Sequence, residues 1–328
     1  MYVVSHRGDP ALDMGEAKNL YEGRKCIMSV PPETAELFCT LTNSTGPVEN
    51  IALSADGQLV ASGSTHLPVK LWNTQTGQLL HEFKSYRRYV ALSADGLLLA
   101  CNDEENPREI RLWSTQTYQS LLTIPFSGMV PFGPWKAVLS ANGQFLACCG
   151  GNYDLDFWNT QTGERLHYFN VLDFVSLIQG IALSADGHLL VSSNNRIRLW
   201  DTQTGDLFKT IIDKAGSTCV SLSADGQLLA SGSGDRTIKL WNTQTGDLLH
   251  ILIDDADTTN LSLSADGQLL ARGSGDRTIK LWNTQTGDLL HVFTGHTGRV
   301  NSVALSANGH ILASGSDDQT IKIWRIKR

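Results

Sequence analysis

At 328 residues the chain is long enough for two average domains or for one extended repeat array. Its 41% hydrophobic and 18% charged residues allow a core to form and exclude an intrinsically disordered chain. The formal net charge of −7 argues against nucleic acid or an anionic membrane as a partner. The opening MYVVSHRGDPALDMGE lacks the apolar run of a signal peptide, and no later stretch approaches a membrane span. Six cysteines, at 26, 39, 101, 148, 149 and 219, show neither a CxxC pair nor the density of a disulfide scaffold, so they read as reduced thiols of a cytoplasmic protein.

Residues 1–33 belong to no repeat and form an N-terminal extension. Within it Asp13, Glu16 and the following Gly23 suit the ends of a short helix from Met14 to Glu22. Leu37–Leu41 comes next as a strand ahead of the first repeat. From there one phrase returns seven times: LSADG or a close variant, an apolar run and a tryptophan, followed in the first six copies by NTQTG or a variant of it. The anchors begin at Leu53, Leu92, Leu139, Leu183, Leu222, Leu263 and Leu305. Their tryptophans are Trp72, Trp113, Trp158, Trp200, Trp241, Trp282 and Trp324, at spacings of 41, 45, 42, 41, 41 and 42. A period of this length marks a modular array covering residues 34–328.

The last copy shows the content of one module. Val300–Ser306 is β-branched and alternating, Ala307-Asn308-Gly309 supplies turn chemistry, and Ile311–Ser316 and Thr320–Arg325 are further strands. In earlier copies NTQTG makes another turn, as at Asn283–Gly287, and a fourth strand follows, as at Asp288–Phe293. Both faces of such a sheet are apolar, with Ile279 and Leu281 pointing one way and Trp282 the other. Stacking the sheets radially buries both faces.

The repeated pattern resembles the WD-repeat family, in its regular, bacterial-type form, over residues 36 to 326. That resemblance implies an all-β, seven-bladed propeller of four-stranded antiparallel blades. It also implies closure by an N-terminal strand, with Leu37–Leu41 completing the last blade in the place that Leu289–Thr294 holds in its neighbour. The family's dipeptides are eroded: Trp200-Asp201 is the one true WD, and Gly295-His296 the one GH at the expected place. The family's buried tetrad maps completely onto one copy, as His296, Ser314, Asp318 and Trp324. The copy around Trp241 keeps Ser231 and Asp235 but has no histidine, and His66, Pro107, Asn152 and Asn194 replace the aspartate in others. Each loss leaves a buried polar group at risk of being unpaired, which costs about 1–3 kcal/mol.

In the sixth copy Arg272 stands where the others have serine or cysteine. Either it pairs with Asp255 or Asp276 as an ionic substitute for the tetrad, or it reaches solvent. Cys101 and Cys148, at the same position in their copies, read as small buried packing residues.

The LSADG and NTQTG turns are expected on one face of the disc and barely vary. The loops between blades are expected on the other, and they diverge: SYRRY at 85–89, PFSGMVPFGPWK at 125–136, VLDFVSLIQG at 171–180, DKAGST at 213–218 and DDADTT at 254–259. Tyr86, Arg87, Arg88, Tyr89, Phe132 and Trp135, with Met129 beside them, form the candidate partner-binding set, because Tyr, Trp and Arg dominate interface hot spots. The competing reading folds the long loop over its own blade and buries Phe132 and Trp135 locally. Asp213, Asp254, Asp255 and Asp257 suggest an acidic patch on the opposite arc. His81, His167, His250 and His291 share one repeat position and read as architectural.

No catalytic motif, metal-ligand spacing or cofactor fingerprint is present. The expectation is a monomeric, non-enzymatic scaffold for a protein or peptide, with no cofactor. A sensor or regulatory module working with a signalling NTPase or kinase is the alternative, and an enzyme with a channel site is the third reading.

Overall fold

In the computed structural model the described residues are 34–42, 46–65, 67–85, 89–102, 106, 108–125, 136–150, 154–171 and 177–327. The expected Met14–Glu22 helix lies outside them. Twenty-eight strands form seven four-stranded antiparallel sheets, each sheet following chain order from its inner strand outward except the last. Blade 1 is Asn50–Leu53, Leu59–Ser64, Leu67–Asn73 and Leu79–Phe83. Blades 2 to 6 repeat that plan and end on the outer strands Ser120–Pro125, Arg165–Asn170, Leu207–Ile211, Leu248–Ile253 and Leu289–Phe293.

Blade 7 has three strands of its own, Val300–Leu305, Ile311–Ser316 and Ile321–Lys327, and takes its fourth from Thr34–Leu41. Leu37 opposes Trp324 in that pairing, and Leu41 opposes Ile321. The chain therefore closes as a seven-bladed β-propeller, with the borrowed strand three residues longer than the Leu37–Leu41 core seen in sequence. Arg325 lies over Phe38 at 3.4 Å and donates to Gln75 of blade 1 at 3.2 Å, so the borrowed strand is tied to both neighbours.

The core is divided among the blade interfaces. Trp282 packs with Ala230, Leu240 and Leu252 of blade 5, whereas Ile279, Leu281 and Phe293 pack with Val300, Val303 and Trp324 of blade 7. The opposite orientations of Leu281 and Trp282 thus serve two different interfaces, as alternation along a strand requires. No blade could bury both faces without two neighbours.

A second set of contacts locks the outer edges. The fourth-strand histidine of one blade packs on the closing glycine of the next blade's NTQTG turn. A Cβ at Gly205, whose φ is +81°, would lie 2.6 Å from His167 Nδ1. Leu122 and Lys209 approach Gly163 and Gly246 in the same way. In blade 2 the glycine is replaced by Tyr118, also at positive φ (58°), and its ring stacks on His81 at 4.3 Å. His81, His167 and His250 are accounted for by this architecture, and His291 packs on Phe293 of its own strand at 4.6 Å.

Candidate binding face

The phrase that recurs in sequence is consumed by its own hydrogen bonds. In blade 1 Ser54 donates to Asp56 at 2.6 Å and accepts from the Leu59 N–H at 2.9 Å, which closes the turn between the first two strands. Thr74 of the NTQTG turn donates to the Gly57 carbonyl, so both turns lie on one face. Asn73 accepts from the N–H groups of Gln75 and Thr76, each at 2.9 Å, and Asp201 accepts from Gln203 and Thr204 in the same manner. This is why WD erodes to WN at little cost: the turn needs one side-chain oxygen as acceptor, and either residue supplies it.

The alanines of LSADG and its variants then join the blades into a ring. The N–H of Ala55 donates to the carbonyl of Ala94, Ala94 to Ala141, Ala141 to Ala185, Ala185 to Ala224, Ala224 to Ala265, Ala265 to Ala307, and Ala307 back to Ala55, at 2.8–3.1 Å. The ring narrows this end of the central channel around a cavity of about 210 Å³ lined by the seven Leu–Ala pairs. The repeated Ser, Asp, Asn and Thr side chains and the alanine amides of this face are occupied by the fold itself.

The opposite face carries the loops between blades. Among the described residues three of these loops lie against the second- and third-strand hairpin of the preceding blade: Val69 N–H donates to Ser85 O at 3.0 Å, Ser217 to Asn194 at 2.9 Å, and Asp254 to Arg236 at 3.0 Å. Tyr89 is half-buried beside Cys101, Asn102, Ile110, Lys136 and Ala137, between blades 2 and 3. Tyr86, Arg87, Arg88, Met129, Phe132 and Trp135 lie outside the described residues, as does the choice between an open and a locally buried loop.

Beneath this face the tetrad of blade 7 is complete. Trp324 Nε1 donates to Ser314 Oγ at 2.9 Å, Ser314 lies 2.7 Å from His296 Nε2, and His296 Nδ1 lies 2.8 Å from Asp318 Oδ2. The Thr297 N–H adds a bond to the same carboxylate oxygen at 2.9 Å. Burial opposes charge on Asp318, but Thr320, His296 and the Thr297 amide outweigh it and hold its pKa near about 2. His296 is shifted below its ordinary 6.5, because burial outweighs the nearby Asp318 carboxylate.

Blades 5 and 6 replace the missing histidine with aspartate. Asp213 and Asp254 stand 28 residues before their tryptophans, the same offset as His296. Both are buried. Asp213 accepts from Lys239 at 2.8 Å, while Trp241 donates to Ser231 at 2.9 Å. In blade 6 Arg272 is fully buried and donates to Asp254, with Asp276 at 3.5 Å and Lys280 bridging Asp254 and Asp255 at 2.7 and 2.5 Å. The ionic substitute exists and Arg272 does not reach solvent. Its principal partner is Asp254, where sequence pointed to Asp255 or Asp276, because position 254 points inward and Asp255, 83% exposed, points out.

The expected acidic patch is corrected by the same geometry. Two of its four carboxylates are buried in these networks, Asp255 is held by Lys280, and Asp257 lies 3.6 Å from Arg236. The signal was available as the shared 28-residue offset, but it competes with the ordinary expectation that loop aspartates face water. Cys101 and Cys148 are buried as expected. Their cost is visible at Trp113, whose blade lacks the serine and whose indole N–H has no hydrogen-bond partner among the described residues, whereas the Trp158 indole faces the Cys148 thiol. Among the described residues no group of three His, Cys, Asp or Glu side chains is placed to hold a metal ion, and no helix is long and apolar enough to cross a membrane.

The family described as WD domain, G-beta repeat matches residues 174–201, 208–242, 246–283 and 287–325, which are blades 4 to 7. The chain belongs to the WD-repeat family. It is similar to apoptotic protease-activating factor 1 of Rattus norvegicus, 34% identical over 38% of this chain and 10% of that protein. WD repeat-containing protein 90 of Mus musculus is 28% identical over 57% of this chain and 11% of its own length. Protein tipD of Dictyostelium discoideum is 32% identical over 65% of this chain and 36% of its own. The matched region thus spans about a tenth of the first two relatives and about a third of tipD. The blades matched are those with the most regular WD-repeat sequence; blades 1 to 3 share the fold but depart further from the family pattern.

Proposed function

We propose that this WD-repeat propeller is a monomeric, non-enzymatic scaffold that binds a protein or peptide on the face carrying its inter-blade loops. The observation that supports it is the contrast between faces. On one, the repeated Ser, Asp, Asn and Thr side chains and the alanine ring spend their hydrogen bonds on the fold, whereas the other presents loops that differ from blade to blade. Binding specificity needs positions free to vary, and only the second face has them. Tyr86, Arg87, Arg88, Tyr89, Phe132 and Trp135 are the residues proposed to contact the partner.

A regulatory version of this reading is favoured by one relative: the similarity includes a segment of a protein named as a protease-activating factor. Affinity capture with the wild-type chain and with an Arg88→Ala/Trp135→Ala variant tests the site. Loss of one specific partner in a variant with an unchanged thermal midpoint supports it, and equal capture overturns the assignment. Activity of a captured enzyme, assayed with and without the propeller, separates regulation from plain scaffolding. Light scattering on the purified chain checks the monomer.

A further inference from the structure

We propose that the loop face of blades 4 to 7 binds an acidic peptide segment through Arg196, Lys214, Arg236, Arg277 and Arg299. The proposal rests on the interaction reading above and names the partner's chemistry. These five side chains are exposed, on the turns and inter-blade loops of one continuous arc.

The structure brings them together in stations. The loop carrying Lys214 lies on the blade 4 turn carrying Arg196: Ser217 N–H donates to Asn194 O at 2.9 Å, and a Cβ at Gly216 would sit 3.6 Å from Asn195 Oδ1. The loop entering blade 6 meets Arg236 at Asp257. At the next interface a Cβ at Gly275 would sit 4.0 Å from Arg299 Nη1, which places Arg299 at the turn carrying Arg277.

Carboxylates are numerous on this arc but already engaged. Asp235 pairs with Lys239 at 3.0 Å, Asp255 with Lys280, Asp276 with Arg272, and Asp317 accepts from Asn301 at 2.7 Å. Asp213 and Asp254 are buried beneath Lys239 and Lys280. Arg196, Lys214, Arg277 and Arg299 have no carboxylate within ion-pair distance among the described residues, and Arg236 has only the exposed Asp257. Interior lysines and an interior arginine neutralise the acids, and the exposed arginines are left for an outside anion.

Two of those arginines also hold unusual backbone. Arg236 and Arg277 adopt φ of +63° and +72°, a region where glycine or asparagine is the ordinary choice. A guanidinium there makes paired bonds to a carboxylate that glycine could not. An extended nucleic acid would meet the repulsion of a chain with net charge −7, whereas a short acidic segment responds mainly to the local field within a Debye length.

The test titrates a short fluorescent poly-glutamate peptide with the full chain and follows anisotropy at low and physiological salt. Saturable binding that weakens with salt is expected. It should weaken by about tenfold or more in Arg277→Glu/Arg299→Glu and in Arg196→Glu/Lys214→Glu, both at exposed positions whose side chains have no ion-pair partner. Arg277→Gly supplies a variant compatible with the left-handed backbone, and it should weaken binding as well. Absence of saturable binding, retention of full affinity in both reversal variants, or equal binding of a single-stranded oligonucleotide overturns the proposal. Partner capture that depends on Arg88 and Trp135 while poly-glutamate fails to bind would leave the scaffold reading standing and remove this one alone.

Discussion

Arg272 has no route to water, so its charge rests on Asp254 and Asp276. Asp254→Ala would strand a buried guanidinium and is expected to destabilise the protein by about 3–5 kcal/mol in a urea titration. Arg272→Ala should cost less, because Lys280 still reaches Asp254 at 2.7 Å. The double variant should cost less than the sum of the two, and additivity would mean that the pair does not act as a unit. At the same scale, Arg277→Gly relieves a positive φ and should raise stability by up to about 1 kcal/mol. Opposite changes in stability and peptide affinity would mark Arg277 as a binding residue kept at the expense of the fold.

His296 and Asp318 give blade 7 a pH dependence of known sign. The folded pKa of His296 lies below 6.5, so the unfolded chain takes up that proton first and stability falls as pH drops below 6.5. His291, also lowered by burial, adds a contribution of the same sign. Asp318 stabilises the fold above 3.8, and that contribution is lost as pH falls toward about 2. Thermal midpoints measured from pH 8 downward should therefore decline in two stages, with the upper stage reduced in His296→Ala. A midpoint that rises on acidification through this range would contradict the assignment.

Elements carry a different kind of dependence, because the last blade is assembled from both ends of the chain. Deleting residues 1–33 leaves the Thr34–Leu41 strand in place, whereas deleting 1–42 removes the partner of Ile321–Lys327 and uncovers Trp324 and Ile323. The longer truncation should lower the thermal midpoint far more than the shorter one, and equal midpoints would refute the closure. Strand content and turn chemistry were legible from sequence, because period-two alternation and Asn-Gly or Asp-Gly turns are local properties. The inward direction of Asp213 and Asp254 was not, since a residue at a loop–strand junction can turn either way until the neighbouring blade is present. Of the candidate contact residues, Tyr89 is described, and it sits half-buried at the seam of blades 2 and 3. The other five rest on residue type alone.

For the whole molecule, the seven alanine amides make a circuit with no free end. Breaking any one bond requires two blades to separate, so these amides should exchange with solvent only through the largest opening of the molecule. Hydrogen exchange resolved to Ala55, Ala94, Ala141, Ala185, Ala224, Ala265 and Ala307 should show matched, near-global protection; one fast amide would mean an open ring. The amino-acid sequence by itself determined the blade count and the strands within each blade, because each is encoded in a repeat, and the family resemblance carried by that repeat pointed to the borrowed strand and the complete tetrad. Only the tertiary structure decided which charges face inward, how the alanines join in a circle and where unpaired arginines gather. Those properties arise between blades, where residues distant in sequence meet and burial settles which charges must be paired.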